Sequence, residues 1–438
     1  MGRCRWPLLA FATVTDDDAA PTADAHATPH APDVEGRALD DQIRAFVRRQ
    51  VALAELPAAA LVAETVEHLD GEADPARVAE LAWPVVGEEL SAHLAAQESW
   101  PELTDSDRLT AAFRALTAAG IVARENFACC QNCGLSEIGA DVPRSIVPRG
   151  YAFYHRQDAE RGVDGEGVHI AYGLFEQPPS AAVGEEVAAA LRAEGLTVRW
   201  DGETGNRIHV PMVWRRRRVG RLAAVPAMVD DDIDVDVELL GGWTGVHAAG
   251  DGPTPAGRLT ALHLPWLPAA VPVRLTCEGR SVTVRREGDT LVGAYADPGV
   301  PELTVGRYDG MELVRRLRGL PAGGVSAPAP VGFLEVSAEH TGGSDRDVPM
   351  DLAEVLALVR AMRPLSYDFI TCVGRSGGCV QTTWQPGGLW VEELDADAAV
   401  SVGRYATLAE VERILTVLAV EDRVAVPELG DLTTLRHR

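Results

Sequence analysis

Lysine is missing from this chain: every one of its 40 Lys+Arg residues is arginine. A Walker P-loop, a Schiff-base enzyme and a lysine-dependent protein kinase site each need an ammonium group, so those classes are excluded. Positive charge is also in deficit, with 65 acidic residues against the 40 arginines and a net charge of −25. That balance opposes binding of long nucleic acid, which works by phosphate neutralisation, and suits a basic protein partner instead. A bilayer-spanning run of about 18 apolar residues is absent too, so no integral membrane protein is expected. Near the N-terminus, Arg3 and Arg5 precede an apolar stretch from Trp6 to Val14, but it runs into Thr15-Asp16-Asp17-Asp18 with no small-x-small cleavage site. Residues 1–36 are expected to be a disordered leader, being rich in Ala, Pro, Thr and Asp. The seven cysteines are an odd number, and three crowd into Cys129-Cys130-Gln131-Asn132-Cys133. This suits reduced thiols or a metal site better than a secreted disulfide framework, and points to the cytoplasm.

With 438 residues, the chain has room for two to four domains. From Asp40 to Gly120 the apolar spacing is helical, with starts at Asp74-Pro75 and Thr104. After Gly120, strands are expected over 151–155, 168–175, 196–200 and 207–214, and a helix over 181–193 closed by Gly195. Residues 37–220 thus form one α+β domain. The charge reversal from Arg215–Arg218 to Asp230–Asp232 marks its end.

The remainder repeats itself. Thr276-Cys277-Glu278-Gly279-Arg280-Ser281 recurs as Thr371-Cys372-Val373-Gly374-Arg375-Ser376, and Val305-Gly306-Arg307-Tyr308 as Val402-Gly403-Arg404-Tyr405. An amphipathic helix follows each second motif. Two related α+β modules, 230–322 and 330–425, are therefore expected, each with an opening strand, a connector, a three-strand meander and a closing helix. The connector is clearly helical only in the second (352–362), and residues 321–330 join the two. Arg307 and Arg404 are expected to bond within their own modules.

Gly374-Arg375-Ser376-Gly377-Gly378 matches a nucleophile elbow, but a strand pattern follows it and the only later histidine is His437. The sister copy marks the segment as a hairpin turn. No residue is assigned to catalysis. Cys277 and Cys372 occupy equivalent positions and are expected to be buried as small apolar groups.

Cys129, Cys130 and Cys133 are the sharpest local feature: thiolates at this spacing hold Zn²⁺, form a redox pair, or stay inert. A tetrahedral zinc site needs a fourth ligand, with His155 the first candidate and His169 and His209 behind it. A thioredoxin-like site would need a β-α-β frame, whereas a helical region is expected before this motif. Around His155, the segment to Arg161 also fits a plain helix start capped by Asp158, and Arg215–Arg218 fit a strand end paired with acids.

Ala123–Ile138, with its Cys-Cys-x-x-Cys-Gly block, together with 151–173 and 195–202, resembles a family of uncharacterised bacterial proteins defined only by a domain of unknown function. The resemblance spans 37–220 and implies no activity. The tandem modules are similar only in outline to bacterial immunity-type α+β domains. The expectation is an α+β, non-catalytic, cytoplasmic binding protein of immunity or regulatory type with a protein partner. The alternative is a zinc-binding or thiol-redox protein centred on the cysteines.

Overall fold

The computed structural model describes all residues except 1–33, 143–146, 176, 179, 228–232, 246, 321–331, 341–342, 365–367, 386, 396–397 and 437–438. Most of the expected leader, the acidic boundary at 230–232, the 321–330 linker and His437 therefore lie outside the described residues. The chain divides into two compact units, 1–41 and 42–438. Of the first, the described part is the opening of a helix.

Four helices fill the expected helical region: α1 (Val34–Leu53), α2 (Ala58–His68), α3 (Pro75–Gln97) and α4 (Asp105–Ala118). Their starts follow the sequence. Asp74 accepts a hydrogen bond from the Arg77 amide ahead of Pro75, and Thr104 and Asp107 form a capping box. Gly120, at φ +88°, ends α4.

A four-stranded sheet follows, built from β1 (Ile121–Arg124), β2 (Gly150–Phe153), β3 (Val168–Gly173) and β4 (Ile208–Val210) in the order β1-β2-β3-β4. Between them run α5 (Gln131–Glu137), α6 (Arg156–Val163) and α7 (Ala181–Ala193). β1 and β2 are parallel, and the other pairs are antiparallel. Alternation along the strands divides the side chains between two cores. Ile121, Ala123, Ala152 and Ile170 pack with residues of α4 and α7, whereas Val122, Phe153 and Ala171 pack with Ile138 just beyond α5. Helix α5 therefore lies on the opposite face of the sheet from α4 and α7. The strand expected over 196–200 reduces to one bridge, Arg199 with His209.

The arginine run behaves only partly as a strand end paired with acids. Arg216 donates to Glu125 at 2.6 Å and Arg217 to Asp107 at 2.9 Å. Arg218 is instead 1% exposed and donates to the carbonyls of Val51, Leu56 and Leu222. Peptide oxygens at the end of α1 accept this cation as a helix C-terminus does, and burial pulls its pKa down to about 10.

The two stretches expected to be related have matching strand orders. The first module contains β5 (Asp234–Leu239), β6 (Gly252–Pro255), α8 (Ala256–Leu262), β7 (Val273–Cys277), β8 (Arg280–Glu287), β9 (Thr290–Tyr295), β10 (Leu303–Gly306) and α9 (Met311–Leu317). The second contains β11 (Phe333–His340), β12 (Gly343–Asp351), α10 (Leu352–Ala361), β13 (Phe369–Val373), β14 (Cys379–Gln385), β15 (Gly388–Asp395), β16 (Val400–Ala406), α11 (Leu408–Glu421) and an added β17 (Thr433–Arg436). The strand orders coincide: β10-β9-β8-β7-β5-β6, and β16-β15-β14-β13-β11-β12 with β17 beside β16. Each opening strand returns as a hairpin, and the connector is helical in both copies. Helix α8 escapes the periodicity reading because it has seven residues, one of them Gly257.

The modules dock on each other. Trp266 of the first is buried in the core of the second, and its Nε1 donates to Glu354 at 3.1 Å. Arg286 grips Glu335 through two bonds of 2.6 and 2.7 Å. Arg307 corrects the expectation of bonding within its own module. Its Nε lies 2.9 Å from Asp289, but Nη1 donates to the Pro349 carbonyl of the second module at 2.7 Å. Arg404 stays at home, on the carbonyls of Tyr405 and Leu429.

Candidate metal centre

The cysteines lie on the crossover between the parallel strands β1 and β2. Glu125 begins it, and its Oε1 accepts from Thr110, Tyr154 and Arg216. Asn126 and Ala128 then take left-handed φ values of +45° and +60°, a cost of roughly 1 kcal/mol or more for a residue with a Cβ. Two main-chain bonds hold the bent loop to the β2–α6 junction: Phe127 N–H to Tyr154 O at 2.8 Å, and Arg156 N–H to Ala128 O at 3.1 Å. The loop thus presents Cys129 to solvent, with Cys130 and Cys133 half-buried.

Cys130 is the N-cap of α5 and Cys133 its third residue. The Cys133 amide and then the Cys133 thiol hold the Cys130 thiol below its ordinary pKa, against a smaller effect of burial. Gly134 lets α5 approach the sheet: a Cβ there would meet Phe153 Cε2 at 2.4 Å. The three sulfurs lie within 4.8 Å of one another. A Zn–S bond of about 2.3 Å implies sulfurs about 3.8 Å apart in a tetrahedral site, so side-chain rotation closes the difference.

His155 does not join this group. It is the N-cap of α6, where its Nδ1 accepts from the Asp158 amide at 3.3 Å and Asp158 bonds back to the His155 amide. Its Nε2 lies 2.9 Å from Asp158 Oδ2, and Arg207 holds the same carboxylate at 2.8 Å. The cap is therefore His155 itself, with Asp158 as the reciprocal partner. His169 and His209 stack on each other across β3 and β4, centroids 4.5 Å apart, and His209 bonds Glu166 O. Neither joins the sulfurs.

The frame around the motif also differs from expectation. Strand β1 precedes the cysteines and the parallel β2 follows α5, which makes a β-α-β crossover. All four β1 residues are buried, so they lack the alternation that separates a strand from the end of a helix. Beyond α5, Asp141 pairs with Arg124 and lies 3.9 Å from Arg363 of the second module.

The other singled-out residues are structural. Ser376 sits in the β13–β14 turn, where its amide and hydroxyl donate to Asp422. Cys277 and Cys372 are buried, and burial pushes both thiols up.

A buried polar cluster at the junction of domain and modules has no counterpart in the sequence analysis, because its members are up to 133 residues apart. Arg221 donates to both oxygens of Asp345 at 2.9 Å, and its amide to Glu354. His247 Nδ1 lies 3.6 Å from Asp345, while Nε2 is buried with no hydrogen-bond partner. Burial lowers the His247 pKa to about 4 and raises that of Glu354. At Gly220, φ +52°, a Cβ would strike the Glu354 carboxyl.

With the geometry in place, the family comparison attaches to the part of the chain that holds the cysteines. Residues 37–218 match the family model described as domain of unknown function DUF6891. The match covers under half of the chain and takes in α1 from residue 37 on, α2 to α4, the crossover and the sheet. No curated protein and no solved structure matches the chain. The cysteine loop thus belongs to the DUF6891 region, and the tandem modules lie wholly outside it.

Proposed function

We propose that the DUF6891 region binds one thiophilic metal ion on Cys129, Cys130 and Cys133, with Zn²⁺ as the resident candidate, within a non-catalytic interaction protein. The observation that carries this reading is the mutual approach of the three sulfurs. Soft thiolate donors select Zn²⁺ and its like over hard cations, and three of them within five residues meet at small chain-entropy cost. The fourth position is left to water or to a partner's side chain. An ion there would tie the crossover to the start of α5, so its removal is expected to loosen residues 37–218 and leave the tandem modules folded. The excess of acid favours a basic protein partner. Among the described residues no helix is long and apolar enough to cross a membrane, and a site that needs reduced thiols suits the cytoplasm.

Elemental analysis of protein purified without chelator tests the reading. About one metal per chain, abolished by Cys133→Ala, supports it; far less than one, with no thermal stabilisation by added Zn²⁺, removes it.

A second reading, a dithiol redox centre, is favoured by the β-α-β frame and the lowered Cys130 thiol. It requires a reversible Cys130–Cys133 disulfide, which peptide mapping of the oxidised protein would detect.

A further inference from the structure

We infer that Cys129, Cys130 and Cys133 form a three-coordinate site that prefers trivalent arsenic, taken up as arsenous acid, to Zn²⁺. The inference rests on the reading that the three sulfurs act together as ligands, and it deepens that reading by naming the ion.

The donor set decides it. Two sulfurs come from adjacent residues and the third from one helical turn further on, and among the described residues no fourth histidine, cysteine or carboxylate joins them. The first sequence candidate for that position, His155, is committed on both ring nitrogens to Asp158 and Arg207. Tetrahedral Zn²⁺ is therefore one protein ligand short. Arsenic(III) keeps a lone pair and takes three ligands on one side as a pyramid, which three sulfurs from a short segment complete.

Access and rigidity point the same way. Cys129 is exposed, so the ion enters from solvent. The main-chain bonds of Phe127 and Arg156 hold the loop ahead of the cysteines, and Gly134 seats α5 on Phe153. Arsenous acid is uncharged at neutral pH, so the excess acid of this chain neither attracts nor repels it.

The reaction needs no oxidant. Three As–O bonds break and three As–S bonds form; each thiol proton leaves with one hydroxide as water, and arsenic stays trivalent.

The test uses the full chain, reduced and freed of metal. One equivalent of arsenite should remain bound after desalting as one arsenic per chain, shield three thiols from a thiol reagent, and displace pre-bound Zn²⁺. Cys129→Ser, Cys130→Ser and Cys133→Ser should each weaken arsenite binding by about a hundredfold or more. Phenylarsine oxide, which needs only two thiolates, should still bind each variant and so show that it is folded. Shielding of two thiols or fewer, or equal arsenite binding by any single variant, overturns the inference. Protein that binds Zn²⁺ but not arsenite refutes the arsenic preference and leaves the metal reading standing; protein that binds neither refutes both.

Discussion

Gly134→Ala puts the geometry of the crossover under direct strain. The added methyl would lie 2.4 Å from Phe153 Cε2 and 2.7 Å from Cζ, well inside van der Waals contact. Phe153 cannot swing aside easily: it is fully buried, edge-on to Phe127 with centroids 5.9 Å apart and 6.1 Å from Tyr151. Overpacking of this kind costs about 1–3 kcal/mol. A contact as short as 2.4 Å belongs to the upper part of that range, about 2–3 kcal/mol; alanine returns about 1 kcal/mol through its higher helix propensity, which leaves a net loss of about 1–2 kcal/mol. Relief comes from lifting α5 off the sheet, which moves Cys133 away from the loop sulfurs, so Zn²⁺ affinity should fall about tenfold. Urea unfolding of the metal-free protein and a competitive Zn²⁺ titration read the two effects. Phe153→Leu vacates the contested volume, and the double variant should recover about 1 kcal/mol relative to additivity. If Gly134→Ala is as stable as the parent or more so, propensity alone governs and the close seating of α5 is wrong.

Three further outcomes are expected. His155→Ala should lower stability by about 1–2 kcal/mol through loss of the α6 cap and leave metal stoichiometry unchanged; loss of the ion would return the imidazole to the coordination shell. His247 has a folded pKa of about 4 against an ordinary 6.5, so below pH 6.5 the unfolded chain takes up a proton that the folded chain refuses. Its contribution is fully present above pH 6.5 and falls away towards pH 4, by about 3 kcal/mol, and His247→Gln should flatten that stretch of a stability–pH profile measured in urea. Arg307→Met should cost about 3 kcal/mol or more, since it strips a half-buried carboxylate of its partner and cuts a bond between modules, whereas Arg404→Met should cost about 1 kcal/mol; equal losses in thermal unfolding would contradict the bridging role of Arg307.

What was legible in the sequence is what local chemistry controls. Asp74-Pro75 and Thr104 announce helix starts because caps are satisfied within four residues, and the paired Thr-Cys and Gly-Arg-Tyr motifs fall on corresponding strands of two sheets with one strand order. Ser376 was recognisable as a turn residue from its sister copy. Long-range choices were not legible. β1 is four uniformly buried residues with no period, so the β-α-β frame of the cysteines stayed hidden. His155 is the first histidine after the cysteines, and only the fold shows its ring turned onto Asp158. Arg218 lies in a run of four arginines, yet its guanidinium is inserted among several main-chain carbonyls, because the end of α1 lies beneath it. Arg221, His247, Asp345 and Glu354 are brought together by docking of the modules, which no window of sequence contains.

If the three sulfurs of the DUF6891 region act as one ligand set, the ion they hold has a sulfur-rich shell. Extended X-ray absorption at the metal edge of Zn²⁺-loaded protein tests this most directly. Three sulfur neighbours at about 2.3 Å and one lighter neighbour from water are expected. Two or fewer sulfurs, or a shell of nitrogen and oxygen alone, would contradict it.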